Sequence, residues 1–340
     1  MLSDFINLTY NRDKLIEFLI QHGVLPVVIN CNQCESILNL NTKTLMFICR
    51  KRHFVKNTNK KRISQQCKFE RSAKVGTWFD NTNLDVSLIC RLTVYFIMFP
   101  PPRVQFLTLD TGLTKVTVID WLNFCREICV YWAKKHCEKI GGPGHIVEVD
   151  EAKFGHRKYN RGRVVDGRWV FGGIDRESKK IFLLAVQDRT HETLLKCIKE
   201  WILPGSTIIS DCWKSYKYLE NEGFQHLTVN HSYNFVDPDT SKVYFVNTDL
   251  INITFANILI FFKFIDAHTQ NIERVWREVR ANIPKYGILP DHFEGYLSEY
   301  LFKRNHDLEK RIDSFFDIIS QVYPPKLNVQ CQQASSSNVH

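Results

Sequence analysis

A chain of 340 residues and 40.0 kDa has room for two or three domains. Its 44% hydrophobic and 24% charged residues exclude a mainly disordered protein, a collagen or a coiled coil. A net charge of +9, with no uncharged apolar run long enough to span a bilayer, directs attention to a polyanionic partner and away from a membrane.

Asp4 and Arg12 interrupt the N-terminal apolar run, which is not the pattern of a secretory signal. Eleven cysteines, an odd number, are then expected as thiols or metal ligands in a reducing compartment, cytosol or nucleus. Residues 1–30 read as a short helical lead, with Leu15, Phe18 and Leu19 at helical spacing. Cys31-Asn-Gln-Cys34 follows, then Cys49 and Cys67. Four thiolates can close a tetrahedral structural zinc site; His53 could replace Cys67, and unpaired buried cysteines are the plain alternative. Basic residues crowd Arg50 to Lys74 around this segment. Lys60-Lys61-Arg62 and Arg50-Lys51-Arg52 are weak import signals for the expected nuclear location. Residues 1–80 therefore read as a helix and a zinc-ribbon-like unit.

Residues 81–142 read as a helical linker domain. Thr114 is a predicted N-cap, and Val118, Trp121, Leu122, Cys125 and Cys129 form the apolar stripe behind it. With the preceding Leu107–Gly112 this helix could make a helix-turn-helix, or it is a plain packing helix. Gly141-Gly142-Pro143-Gly144 is the strongest breaker in the chain and the expected domain boundary.

From residue 145 the pattern changes to short strands. Ile146–Phe154, Trp169–Asp175 and Ile181–Val186 are predicted strands, the last two joined by Arg176-Glu177-Ser178-Lys179. Thr190–Leu203 is a predicted amphipathic helix, Ser206–Ser210 a strand, Lys214–Glu222 a helix closed by Gly223, and His226–Asn230 a strand. Asn271–Arg280 is a helix with Ile272, Val275, Trp276 and Val279 on one face. The order βββαβαβ, an interruption, then α predicts an α/β mixed sheet flanked by helices across residues 143–287. Residues 288–326 form a further helical segment, and residues 327–340 are expected to be a disordered tail.

Three acids sit where such a sheet would gather them. Asp150 lies in the first strand, Asp211 comes directly after the fourth, and Glu273 lies in the last helix beside its apolar stripe. Glu148 shares a strand face with Asp150 and rivals it as first ligand; Glu151 is the other rival and falls on the opposite face. Oxygen-only ligands suit magnesium or manganese, and two such ions can drive in-line phosphoryl transfer. Scattered surface acids are the alternative reading. Arg274, Arg277 and Arg280 flank Glu273 and could hold DNA phosphates, as could Lys153, or they are a solvated charged face. His231, beyond the fifth strand, could position a phosphate or water, or be structural. Trp213 and Trp276 could stack on bases, though core packing suits both.

Four ordered motifs carry a resemblance: Val147-Glu-Val-Asp-Glu-Ala-Lys-Phe-Gly155, Ser210-Asp-Cys-Trp213, Val229-Asn-His-Ser232 with Asn234-Phe-Val-Asp237, and His268-Thr-Gln-Asn-Ile-Glu-Arg-Val-Trp276. Together they resemble the DDE transposases of the Merlin superfamily. The resemblance implies an RNase H-like core, a divalent metal, and cleavage and strand transfer of DNA at terminal inverted repeats into target DNA. Its acidic triad maps onto Asp150, Asp211 and Glu273. An N-terminal zinc ribbon is implied too, followed by a stretch matched here by Arg71-Ser-Ala-Lys-Val-Gly-Thr-Trp-Phe79, as is a homo-oligomer that pairs two ends.

One departure stands out. Sixty-one residues separate Asp211 from Glu273, more than the resemblance implies, and 35 would without Ser241–Asp266. Those 26 residues, rich in Phe, Ile, Asn, Lys and Tyr, read as an intron carried into the coding sequence or as a genuine insertion. The expected activity is that of a DDE transposase. The alternatives are a transposase-derived DNA-binding protein that no longer catalyses, and a nuclease that hydrolyses without joining.

Overall fold

The structure, a computed structural model, describes residues 2–56, 62–155, 167–211, 219–229, 235–236, 243–244, 269–284 and 288–325. The chain divides into two compact units, Met1–Ile128 with Asn305–His340, and Cys129–Arg304.

The first unit opens with helices α1 (Leu2–Tyr10) and α2 (Arg12–Gln21). Asn11 caps α2, its side chain accepting the Lys14 amide at 3.2 Å. Six short strands follow: β1 (Val28–Asn30), β2 (Ile37–Asn39), β3 (Met46–Ile48), β4 (Arg52–Lys56), β5 (Arg62–Gln66) and β6 (Glu70–Ser72). They pair antiparallel as β1–β2, β3–β6 and β4–β5. Helices α3 (Val86–Met98), α4 (Val104–Thr111) and the first part of α5 (Lys115–His136) come next. Thr114 caps α5 as expected, its hydroxyl accepting the Thr117 amide at 3.2 Å, and every residue of the predicted stripe is buried. The unit closes on α9 (Arg311–Val322), whose Phe315 and Phe316 pack against Phe96 and Phe5 at ring separations of 6.0 and 5.6 Å.

The second unit begins within α5 and continues through β7 (Ile140–Gly141), β8 (Ile146–Phe154), β9 (Arg168–Asp175), β10 (Ile181–Val186), helix α6 (His191–Trp201), β11 (Ile202–Leu203), β12 (Thr207–Asp211) and β13 (Gln225–Val229). The 3-10 turn Leu219–Glu222 and Gly223, with φ +83°, lead into β13. Helices α7 (Gln270–Asn282) and α8 (Phe293–Asn305) complete it. Five strands form one sheet in the order β10-β9-β8-β12-β13, with β8, β9 and β10 antiparallel and β12 and β13 parallel to β8. This is the expected mixed sheet flanked by helices.

The alternation along β8 assigns its two faces. Val147 and Val149 point into a core with Leu194 and Ile198 of α6, Phe171 and Phe182. Glu148, Asp150 and Phe154 lie on the other face, under α7. The expected helix Thr190–Leu203 is shorter than its sequence reading. Ile202 and Leu203 leave α6 and pair in parallel with Ile140 and Gly141, because β-branched Ile202 gains ladder bonds as well as core burial there. The Gly141–Gly144 breaker thus lies inside the second unit, stapled by a Gly142 amide to Ser206 hydroxyl bond of 2.8 Å. A Cβ at Gly141 would sit 2.3 Å from that same hydroxyl oxygen, so only glycine fits. Within 241–266, Val243–Tyr244 pairs antiparallel with Phe235–Val236, and the rest lies outside the described residues.

Candidate active site and metal centre

Strand register places the first two acids. β12 pairs with β8 through Thr207 and Ile146, Ile208 and Val147, and Ile209 and Glu148. Asp211, the last residue of β12, and Asp150 on the adjacent β8 each lie two residues beyond the last pair, Ile209 with Glu148. Parallel neighbours lie about 4.8 Å apart.

The third acid arrives on α7. Ile272, Val275, Trp276 and Val279 are all buried, as their spacing predicted, and Glu273 stands exposed in the first turn. Trp276 ties the helix to the strand: its indole N–H donates to Asp150 Oδ2 at 2.9 Å. At 3% exposure it has no face left for a DNA base. Gly172 makes room for it, since a Cβ there would come within 2.7 Å of the indole.

Glu148 is fully buried and differs sharply from Asp150. Its Oε1 accepts from Arg176 Nε at 2.7 Å and Asn271 Nδ2 at 2.6 Å. Its Oε2 accepts the backbone amides of Asn271 at 2.9 Å and Ile272 at 3.1 Å. With two donors on each oxygen, Glu148 serves as an internal ion-pair partner and helix cap, and not as a rival first ligand. Sequence reasoning missed this role. The available signals were its shared strand face with Asp150 and an asparagine at the start of α7. Glu151 lies on the opposite face of β8, as its parity predicted.

Next to Asp211, Ser210 and His226 pair at 2.9 Å between Oγ and Nε2. Burial lowers the His226 imidazole to about 4, so it is neutral. A second polar knot, His145, Asp175 and Glu177, closes the β9–β10 turn. Burial alone would raise the Asp175 carboxyl, but hydrogen bonds from the Ser178 hydroxyl, Glu177 and His145 Nδ1 hold it down to about 2.

The expected DNA contacts separate into two groups. Arg274, Arg277 and Arg280 are exposed along α7, Arg274 paired with Glu278 at 3.3 Å and Arg280 over Phe154 at 5.3 Å. Lys153 instead lies on the sheet face opposite Asp150, its Nζ 5.5 Å from the Trp169 ring. Arg189 packs on the same ring at 3.9 Å, a basic and aromatic grouping the sequence did not single out. His231 and Trp213 lie outside the described residues. In the first unit, the exposed residues of α5 are Lys115, Val116, Ile119, Asp120, Phe124 and Glu127.

The four cysteines converge. Cys31 and Cys34 flank the β1–β2 turn, which Cys31 shapes by accepting the Glu35 amide and donating its own to Ser36. Cys49 and Cys67 are placed by backbone bonds to Phe69 and Lys51. Sγ atoms of Cys31 and Cys67 lie 3.4 Å apart, those of Cys34 and Cys49 3.5 Å apart, and all four lie within 4.8 Å of one another. A tetrahedral zinc with Zn–S near 2.3 Å sets sulfurs about 3.8 Å apart, so this all-sulfur set fits zinc. The Ser36 hydroxyl and amide hold the Cys34 thiol down to about 6, while burial pushes Cys67 up to about 12. From Ser36 to Phe69 the chain has nine Lys and Arg and no Asp or Glu. The β4–β5 hairpin within it leaves Phe54 71% exposed, with the Arg62 guanidinium 6.0 Å from its ring.

Residues 141–258 match the model of the ISXO2-like transposase domain. An uncharacterized transposase-like protein of Haemophilus influenzae is 26% identical over 144 residues, 42% of this chain and 93% of that protein. These matches support a transposase family. Solved structures with some likeness include the HTLV-2 integrase catalytic core domain in complex with magnesium in its dimeric form (17% identity, TM-score 0.19, 26% of this chain and 63% of that one). Another is the simian T-cell lymphotropic virus intasome in complex with PP2A regulatory subunit B56 gamma (14% identity, TM-score 0.25, 63% and 66%). This chain covers less than two thirds of either solved chain. Among the described residues, no helix is long and apolar enough to cross a membrane.

Proposed function

We propose that this protein is a DNA transposase of the DDE type, allied to the Merlin superfamily, with an RNase H-like catalytic core. The observation that supports the reading is that Asp150 and Asp211 lie on adjacent parallel strands, each two residues past the pair of Glu148 and Ile209, with the helix of Glu273 bonded to Asp150 through Trp276. Their oxygen-only donor set suits magnesium or manganese. Two such ions, when held by Asp150, Asp211 and Glu273, would activate the attacking oxygen and stabilise the leaving one.

Water attacks a phosphodiester at the element's terminal repeat and frees a 3′-hydroxyl. That hydroxyl then attacks a target phosphodiester, forms the new bond and releases a target 3′-hydroxyl. Arg274, Arg277 and Arg280 hold the phosphates of the bound strand. The cysteine cluster, with structural zinc, presents the basic β4–β5 hairpin to the repeat. Pairing two ends calls for a homo-oligomer, and the work is done in the nucleus.

The test is cleavage and joining of an end-labelled terminal-repeat duplex with magnesium or manganese. The reading expects metal-dependent nicks and joined products that Asp211→Ala abolishes. Inactivity of the parent chain, or full activity of Asp211→Ala, refutes it. The length of the Asp211–Glu273 interval favours a second reading, a DNA-binding protein without catalysis. It expects duplex binding that survives chelation of divalent ions and no cleavage with any metal.

A further inference from the structure

We infer that Glu148 is a positioning residue, one that fixes the helix bearing Glu273 against the strand bearing Asp150. This rests on the catalytic reading above. A helix start leaves backbone N–H groups without partners inside the helix. The N-cap residue of α7, Thr269, makes no side-chain capping bond. Glu148, 123 residues earlier in the chain, does that work instead, accepting the amides of Asn271 and Ile272 on Oε2. A carboxylate also complements the positive end of the helix dipole. The other oxygen grips the Asn271 side chain and the Arg176 guanidinium, so the cap is itself held.

Two residues of one strand face therefore grasp successive turns of α7. Glu148 holds its first residues, and Asp150 holds Trp276. Glu273 lies between these two anchors. Its distance from Asp150 follows from contacts that involve no ion. Sliding or tilting of α7 would move Glu273 while leaving Asp150 in place. Glu148 thus acts on the metal site through Asn271 and the helix axis, as outer-shell residues do.

The experiment uses the full-length chain loaded with zinc and titrates Mn2+, with binding read from loss of the free-ion electron paramagnetic resonance signal. The parent chain is expected to bind Mn2+, and Asp150→Asn to weaken that binding. Glu148→Gln and Asn271→Ala, folded by near-UV circular dichroism, are expected to bind about 10–100-fold more weakly, Asn271→Ala at the lower end. Cleavage in these variants should recover when Mn2+ is raised. Asn271→Ala keeps the Arg176 pair and both backbone bonds, so it decides the matter if Glu148→Gln does not fold. Parent-like Mn2+ affinity in folded variants overturns the inference while the catalytic reading stands. Binding that ignores Asp150→Asn, or no binding by the parent chain, removes the catalytic reading and the inference with it.

Discussion

Glu148 and Asp150 are two residues apart on one strand face, yet their surroundings assign them different tasks. The buried Glu148 accepts from the Arg176 guanidinium, the Asn271 side chain and the amides of Asn271 and Ile272, and the half-buried Asp150 accepts from the Trp276 indole. Breaking the buried ion pair is therefore costly. Arg176→Ala should lower unfolding free energy by about 3–5 kcal/mol, measured by urea denaturation. Gly172→Ala puts a methyl where Trp276 and Leu183 already sit, at 2.7 and 2.9 Å. It is expected to cost about 1–3 kcal/mol and to displace the indole from Asp150, visible as a change in tryptophan fluorescence. The strands that carry Asp150 and Asp211 were legible in the sequence, from alternation in one and a short apolar run in the other. The partner of Glu148 was not, since nothing local to a strand announces a helix start 123 residues later.

At the scale of elements, β8 and α7 were readable because alternation and helical spacing report burial, and β9 and β10 because each is a short, mostly apolar run. The pairing of Ile202–Leu203 with Ile140–Gly141 was hidden, because a two-residue strand has no period of its own. The thiol cluster was named in full from the sequence although its second half lacks a CxxC; Cys49 and Cys67 come together because each directly follows a short strand, Met46–Ile48 and Arg62–Gln66. The β12–β13 pair carries a pH prediction. His226 is neutral in the fold at about 4, against 6.5 when free, so below 6.5 the unfolded chain binds the extra proton. Stability should be complete above that value and fall by up to about 3 kcal/mol as pH drops towards 4. His226→Gln should flatten that slope in thermal melts taken across the range.

At the scale of the molecule, the proposed reading gives the two units different ions. The first unit has short two-stranded pairs near the cysteines, too small to hold without a staple. A zinc chelator, or Cys34→Ser, should unfold this segment and lower duplex affinity, while the five-stranded sheet keeps its melting transition. Zinc content by atomic absorption should fall from one per chain to near none. Duplex binding should weaken steeply with salt, as expected of a region with nine basic and no acidic residues. The most direct test of the whole account is a crystal of the full chain soaked in Mn2+ and measured at the manganese absorption edge. The account predicts an anomalous peak about 2.1 Å from carboxylate oxygens of both Asp150 and Asp211, with Glu273 at the same centre. A peak elsewhere, or these two acids without a shared ion, would contradict it.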